Sequence, residues 1–92
     1  KRLEVKFSSG NTVFTGISSN LAEDGIFIRT QKGFAPDTTL DIKLFLPDGK
    51  ISSLKGIVKR TTKSSISALK NGMGVEITEK DKSYLNFLKS FK

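Results

Sequence analysis

Cysteine, histidine and tryptophan are all missing from this sequence of 92 residues. The absence of cysteine excludes disulfide bonds and thiolate metal sites. The absence of histidine excludes Ser-His-Asp and Cys-His catalysis, together with the imidazole ligands that zinc sites ordinarily use. No apolar run approaches about 18 residues, so we expect no segment that inserts into a membrane.

The acidic side chains do not supply an alternative catalytic centre. Glu23 and Asp24 stand together ahead of Gly25, an arrangement typical of a turn rather than of a general acid–base pair. No Walker-type loop or GxGxxG motif occurs, and the glycines of Gly72-Met73-Gly74 fall within a predicted strand. We therefore expect a protein that is not an enzyme and that holds neither a metal nor a cofactor.

The charge of the chain indicates an anionic partner. It has 16 Lys and Arg against 9 Asp and Glu, a net charge of +7. Such a surface attracts phosphates in nucleic acid, in a nucleotide or at a membrane face. Only Arg2, Arg29 and Arg60 are arginines, and their planar fork suits guanine edges and phosphates better than the lysine ammonium does. The arginines are therefore the more informative cations.

Length and composition predict one globular domain over residues 1–92. The hydrophobic fraction of 36% is typical of a folded chain rather than a disordered one. Because the sequence starts with Lys1 and shows no signal peptide, we expect a domain excised from a longer protein. The missing cysteine and signal peptide favour a cytoplasmic location.

Alternation of apolar and polar residues predicts β-strands in six segments. These are Leu3–Phe7, Thr12–Ser19, Gly25–Thr30, Leu40–Leu46, Ile51–Thr61 and Gly72–Ile77. Between the fourth and fifth, Pro47 to Lys50 form a hairpin turn in which Gly49 takes the positive φ. A polar stretch at 62–71 precedes the sixth. The strand faces predict a core of Leu40, Ile42, Leu44, Val58, Val75 and Ile77.

The end of the chain changes from strand to helix periodicity. Thr78 followed by Asp81 resembles a capping box, which predicts a helix from about Glu79. Its apolar face carries Tyr84, Leu85, Leu88 and Phe91, with Phe87 at the edge, and we expect Leu85, Leu88 and Phe91 to pack on the strands. Six antiparallel strands lose their exposed edges by closing into a barrel. The prediction is an all-β, six-stranded antiparallel barrel with one C-terminal helix.

Single-stranded nucleic acid is one partner that a small basic barrel could bind. Such barrels combine a basic groove with exposed aromatic rings. Phe45 is predicted to point outward, and the same orientation is considered for Phe14 and Phe27. No aromatic and basic pattern recurs on neighbouring strands, so this hypothesis is the least favoured.

The most specific stretch of the chain runs from Asn20 to Thr30. It resembles the signature of the PilZ domain, (D/N)xSxxG followed by an apolar strand. The similarity extends over nearly the whole chain, including Pro47-Asp48-Gly49, Gly56 to Arg60, Gly72 to Glu76 and the late helix. The resemblance implies a six-stranded barrel with a C-terminal helix. It also implies a bacterial receptor for cyclic di-GMP that acts as an adaptor in motility, attachment or polysaccharide export, with a downstream protein partner in cis or in trans.

The resemblance implies a ligand site made of Arg2, Asn20, Ala22, Gly25 and Arg60. An arginine can pair with guanine O6 and N7 or lie over the ring, and glycine lets the backbone approach closely. We expect Arg2 and the segment Asn20 to Gly25 on one side of the barrel, where one ligand can touch both.

The sequence departs from the family pattern in two places. Ala22 stands where the motif has serine, and the lost hydrogen bond is worth about 0.5–1.5 kcal/mol. The family's RxxxR segment is represented by Arg2, whose partner arginine we place upstream of Lys1; in the other register Lys6 would replace it. We therefore expect weak or absent cyclic di-GMP binding by these 92 residues. The alternative is a degenerate PilZ domain that serves as a protein-interaction module.

Overall fold

The computed structural model describes residues 2–62 and 71–90. Most of the polar stretch predicted at 62–71, and Phe91 of the predicted helix face, lie outside the described residues. The described elements follow one another in the order β1 Glu4–Ser8, β2 Val13–Ala22, β3 Gly25–Arg29, β4 Thr39–Phe45, β5 Ile51–Thr62, β6 Gly72–Glu79 and α1 Lys82–Lys89. Gly49 in the β4–β5 turn has a φ of 91°, as the Pro-Asp-Gly sequence predicts.

The strands form a closed barrel in the order β1-β2-β3-β6-β5-β4, and each neighbouring pair is antiparallel. Pairing of β1 with β4 completes the ring, so each of these strands has a partner on both sides. Closure satisfies the backbone hydrogen-bonding groups that an open sheet would expose at its edges. The all-β barrel with one C-terminal helix is thereby confirmed.

The barrel interior holds all six residues predicted for the core: Leu40, Ile42, Leu44, Val58, Val75 and Ile77 are each no more than 5% exposed. Strand β2 turns its β-branched residues Val13 and Ile17 outward and its smaller residues Gly16 and Ser18 inward. A Cβ at Gly16 would lie 2.9 Å from Cγ2 of Ile28, so the interior has no room for a side chain there. The need for close packing therefore decides which face of β2 is buried.

Phe14 points inward, and the outward orientation considered from the sequence is wrong. Its ring is half-buried and packs against Phe7 and Phe34, with centroid distances of 6.1 and 5.7 Å. Phe14 is directly opposite Phe7 in the β1–β2 register, so the two rings share the inner face. The ammonium of Lys32 lies 5.4 Å from the centre of the Phe14 ring. The aromatic rings close the barrel mouth at the beginning of β2.

Helix α1 closes the other mouth. It begins at Lys82 with Asp81 as its N-cap, so the start near Glu79 and the cap at Thr78 are corrected. The physical reason is that β6 continues to Glu79, where it still pairs with Lys55 on β5. Tyr84 is completely buried, while Leu88 and Phe87 pack against the core and Leu85 is half-buried.

The Asp81 carboxylate joins the helix to β5. It accepts hydrogen bonds from the Tyr84 N–H at 3.0 Å, the Ser52 hydroxyl at 2.6 Å and the Ser53 N–H at 2.9 Å. Burial raises the pKa of Asp81, but these hydrogen bonds outweigh it and the net pKa is lowered. The ionised carboxylate therefore stabilises the fold above its unfolded pKa of about 3.9, and this contribution is lost as the pH falls through the lower folded pKa.

Replacing Asp81 by alanine is expected to lower the free energy of unfolding at pH 7 by about 1–3 kcal/mol, because a cap and two tertiary hydrogen bonds disappear. The difference from the parent should shrink below about pH 4, where the parent carboxylate becomes protonated. Urea denaturation between pH 2.5 and 7 measures both effects. Asp41→Ala, at an exposed strand position, is the matched control. A difference that stayed constant with pH would contradict the role given to the ionised carboxylate.

Candidate functional site

The strand register places Asn20, Phe27, Gly74 and Arg60 side by side across β2, β3, β6 and β5. Asn20 pairs with Phe27, Phe27 with Gly74, and Gly74 with Arg60. Neighbouring strands lie about 4.8 Å apart, so the row extends over about 14 Å. We call these four residues the outer row.

Two β-bulges bring the polar ends of the outer row to the outside of the barrel. One lies between Ser18 and Asn20 and the other between Val58 and Arg60. Ser18 and Val58 are buried, and strict alternation would place Asn20 and Arg60 on the same inner face. Each bulge inserts one extra residue and reverses the alternation, so both side chains are exposed. Bulges of this kind commonly redirect a side chain next to a functional site.

The middle of the outer row is a flat surface without a protruding side chain at Gly74, which we call the floor. Gly74 has no side chain, and Cγ and Nε of Arg60 would both lie 3.2 Å from a Cβ placed there. The ring of Phe27 occupies the same kind of space over Gly72, where a Cβ would lie 2.7 Å from Cε2 of the ring. The two glycines of β6 thus let an aromatic ring and an arginine stem lie flat against the barrel.

The β2–β3 hairpin carries the motif residues Asn20, Ala22 and Gly25. Strand β2 continues to Ala22, which pairs with Gly25, so the segment between the second and third predicted strands is mostly strand and only Glu23 and Asp24 form the turn. Gly25 is not among the glycines with positive φ, and a Cβ there would make an ordinary contact of 3.7 Å with the Val75 carbonyl oxygen. Its backbone conformation therefore does not require glycine.

Arg2 stands next to a backbone contact between Leu3 and Ser18 of β2, two residues before Asn20. The residue after it, Leu3, donates its N–H to the Ser18 hydroxyl at 3.0 Å and accepts the Ser18 N–H at 2.8 Å. Arg2 is exposed and lines a shallow cavity of about 490 Å³ together with Arg29. The cavity wall also contains Glu4, Thr15, Gly16, Ile17, Thr30, Gln31 and Asn71. The cavity adjoins the outer row, because Arg29 and Phe27 project from the same face of β3.

Two residues that the sequence argument did not assign to the site hold the hairpin in place. The hydroxyl of Tyr84 donates a hydrogen bond to the Ala22 carbonyl oxygen at 2.5 Å. Lys80 donates to the Asp24 carboxylate at 2.8 Å and to the Glu23 carbonyl oxygen at 3.1 Å. The sequence feature that could have predicted the role of Tyr84 is its hydroxyl on the apolar face of the helix, because a buried tyrosine ordinarily finds a hydrogen-bond partner. Burial raises the pKa of Tyr84 to about 12, with the Asp24 charge adding to the rise and the Ala22 bond opposing it.

The outer row and the cavity beside it therefore combine an aromatic ring, exposed arginines, an amide side chain and a glycine floor. This set can stack a base, pair with its edge and attract phosphate. Within residues 2–62 and 71–90, no group of three acidic, histidine or cysteine side chains is placed to hold a metal ion. In the same part of the chain, no helix has the length and apolar character needed to cross a membrane.

Comparison with known proteins supplies a family for this arrangement. The family model of the PilZ domain matches residues 1–91. Among solved structures, the Bacillus subtilis inhibitor of motility (MotI/DgrA) is similar in fold, with a TM-score of 0.80 at 20% sequence identity. The match covers 98% of this chain and 44% of that chain, so the present sequence spans less than half of that protein's length. A search of curated proteins finds no match.

Proposed function

The chain belongs to the PilZ domain family, and from this premise we propose that it is a non-enzymatic receptor for cyclic di-GMP in the bacterial cytoplasm. In this role it responds to the concentration of the nucleotide by changing its interaction with a protein partner, in cis or in trans. The observation that carries the proposal is the pair of bulges that turns Asn20 and Arg60 outward onto one row. Motility is the process we favour, because the structurally similar Bacillus protein is an inhibitor of motility.

The chemistry of the outer row suits a guanine nucleotide. The half-buried ring of Phe27 can stack on a base, and the Arg60 fork can pair with guanine O6 and N7 or lie over the ring. The amide of Asn20 can bond a base edge at the other end of the row. Arg2 and Arg29 in the adjoining cavity would face the two phosphates. Each part of cyclic di-GMP thus has a group of matching chemistry within this surface.

Ala22 sets the expected strength of binding. Its methyl group cannot replace the serine hydroxyl of the family motif, and its carbonyl oxygen already accepts a hydrogen bond from Tyr84. One missing neutral hydrogen bond corresponds to a loss of affinity of up to about tenfold. We therefore propose a low-affinity site in this chain.

Calorimetric titration of the protein with cyclic di-GMP tests this proposal. The Ala22→Ser variant is expected to bind up to about tenfold more tightly than the parent, because the hydroxyl restores one hydrogen bond. Ala35→Ser, which makes the same substitution at an exposed position in the β3–β4 loop, is the matched control and should bind like the parent. GMP and cyclic di-AMP in place of cyclic di-GMP test the choice of nucleotide. No binding by either the parent or Ala22→Ser would contradict the receptor function.

A second function is favoured by a different surface. Of the three large apolar residues that are most exposed in the described part of the chain, Ile17 lines the cavity beside Arg2, whereas Val13 and Ile51 lie at outward strand positions outside both the cavity and the outer row. Exposed apolar groups of this kind often contact another protein. The alternative is therefore a PilZ domain that serves only as a protein-interaction module, and it would gain support if neither the parent nor Ala22→Ser binds the nucleotide.

The hypothesis of nucleic-acid binding loses one of its three aromatic residues, because Phe14 points inward.

A further inference from the structure

Ala22 belongs to the ligand-facing hairpin and also to the contact with the C-terminal helix. Ala22 is exposed and is the last residue of β2. Its carbonyl oxygen accepts a hydrogen bond from the hydroxyl of Tyr84, which is 62 residues later in the sequence. Tyr84 is the largest of the completely buried side chains, so its ring is fixed within the barrel mouth. A shift of the hairpin backbone at Ala22 therefore directly changes a hydrogen bond of the helix.

The turn next to Ala22 is held by the same part of the chain. The Asp24 carbonyl oxygen accepts a hydrogen bond from the N–H of Ile77 in β6 at 2.9 Å. The Lys80 ammonium bonds the carboxylate of Asp24 and the carbonyl oxygen of Glu23. The Lys80 side chain is 23% exposed and the Asp24 side chain is 81% exposed, so the ion pair is open to solvent on the Asp24 side and the hydrogen bond to the Glu23 carbonyl oxygen adds a second attachment. The carbonyl groups of Ala22, Glu23 and Asp24 thus all bond to residues within Ile77–Tyr84.

Helix α1 depends on these contacts for its stability. It has eight residues, fewer than an isolated helix needs to be stable in water. Asp81 holds its first turn to β5, and Tyr84, Phe87 and Leu88 supply its buried contacts. Loosening the hairpin removes one of the few interactions that dock the helix on the barrel.

We propose that Ile77–Tyr84 is a coupling segment, through which a ligand on the outer row and the docking of helix α1 on the barrel control each other. The inference rests on the proposed function, because it takes the outer row as the nucleotide site. A nucleotide bound there orders the β2–β3 hairpin and thereby favours the docked helix. Linkage requires the reverse as well: a partner that holds the helix docked tightens nucleotide binding by the same factor.

Hydrogen exchange measured residue by residue tests the coupling without any ligand. Tyr84→Phe keeps the buried ring and removes only the hydroxyl, so we expect the fold to be retained. Exchange should become about two- to tenfold faster in the helix and also in the hairpin around Ala22 and Gly25, as one lost hydrogen bond predicts. Lys80→Gln should accelerate exchange in the same two regions. Thr61→Val, outside the coupling segment, also removes a hydroxyl-to-carbonyl bond, to Phe34, and should leave the hairpin unchanged.

Adding cyclic di-GMP separates this inference from the proposed function. In the parent, the nucleotide should slow exchange in both the hairpin and helix α1. In Tyr84→Phe, it should slow exchange in the hairpin while the effect on the helix is lost or reduced. A parent hairpin that does not respond to the nucleotide would contradict the proposed function alone, since the ligand-free comparison still decides the coupling. Unchanged hairpin exchange in both Tyr84→Phe and Lys80→Gln would overturn the coupling.

Discussion

Replacing Leu44 by alanine is expected to lower the free energy of unfolding by about 2–5 kcal/mol, the range for truncating a large side chain in a packed core. Leu44 is completely buried and lies in β4 opposite Val5 of β1 and Ser52 of β5. It therefore lies in the β1–β4 pair, whose pairing closes the ring of strands. A domain of this size is stable by only about 5–15 kcal/mol, so the variant would lose a large part of its stability.

Urea denaturation at pH 7 measures this loss. Lys43→Ala is the matched control, because Lys43 is the preceding residue of the same strand, points outward and bonds only the exposed Ser53 hydroxyl at 3.1 Å among the hydrogen bonds described. Its cost should stay within about 0.5 kcal/mol. A Leu44→Ala cost below about 1 kcal/mol would mean that the core does not depend on this face of β4.

The second large effect is expected on nucleotide binding. Arg2→Ala and Arg60→Ala should each weaken cyclic di-GMP binding by about tenfold to a hundredfold, since a hydrogen bond to a charged group is worth about 1.5–3 kcal/mol. Both side chains are exposed, so the variants should fold like the parent. The Ala22→Ser background, with its expected higher affinity, gives the titration enough range. Arg2→Ala should cost more than any single lysine substitution, because a bidentate fork is lost.

Lys59→Ala is the matched control for both arginines. Lys59 precedes Arg60 in β5, is exposed, and pairs with Glu76 at 3.1 Å. Its loss should change affinity by less than threefold, as expected of a screened surface charge. Two results would contradict these roles: Arg2→Ala and Arg60→Ala bind as tightly as the parent, or all the lysine and arginine variants lose affinity equally and show the same dependence on salt concentration. Either result would mean that the protein attracts phosphate only through its net positive charge.

The sequence was sufficient to predict the barrel, because alternation in strands such as β4 distinguishes the inner from the outer face. The same rule fails at the candidate site. Alternation from Ser18 and from Val58 would place Asn20 and Arg60 inside the barrel, and only the two bulges turn them outward. A bulge depends on how one strand pairs with its neighbour, so a single strand's sequence does not reveal it.

Two further differences also arise from tertiary contacts. Thr78 has the sequence of a helix cap, but pairing with β5 extends β6 beyond it, and Asp81 becomes the cap instead. In β2, the β-branched residues Val13, Thr15 and Ile17 alternate with Phe14, Gly16 and Ser18, so the pattern alone allows either face to be buried. Phe7 across the β1–β2 pair selects the face that carries Phe14. In both cases the local pattern allowed two structures and a neighbouring strand determined which one forms.

Binding at the outer row is tested most directly by titrating the ¹⁵N-labelled protein with cyclic di-GMP and recording ¹H–¹⁵N correlation spectra, which also detect weak binding. We expect the largest shift changes at the outer row of Asn20, Phe27, Gly74 and Arg60, and at Arg2. The opposite side of the ring, where Lys6 of β1 pairs with Lys43 of β4, should change little. Spectra that do not change at millimolar nucleotide, or changes centred on Lys6 and Lys43, would contradict the claim that the outer row binds cyclic di-GMP.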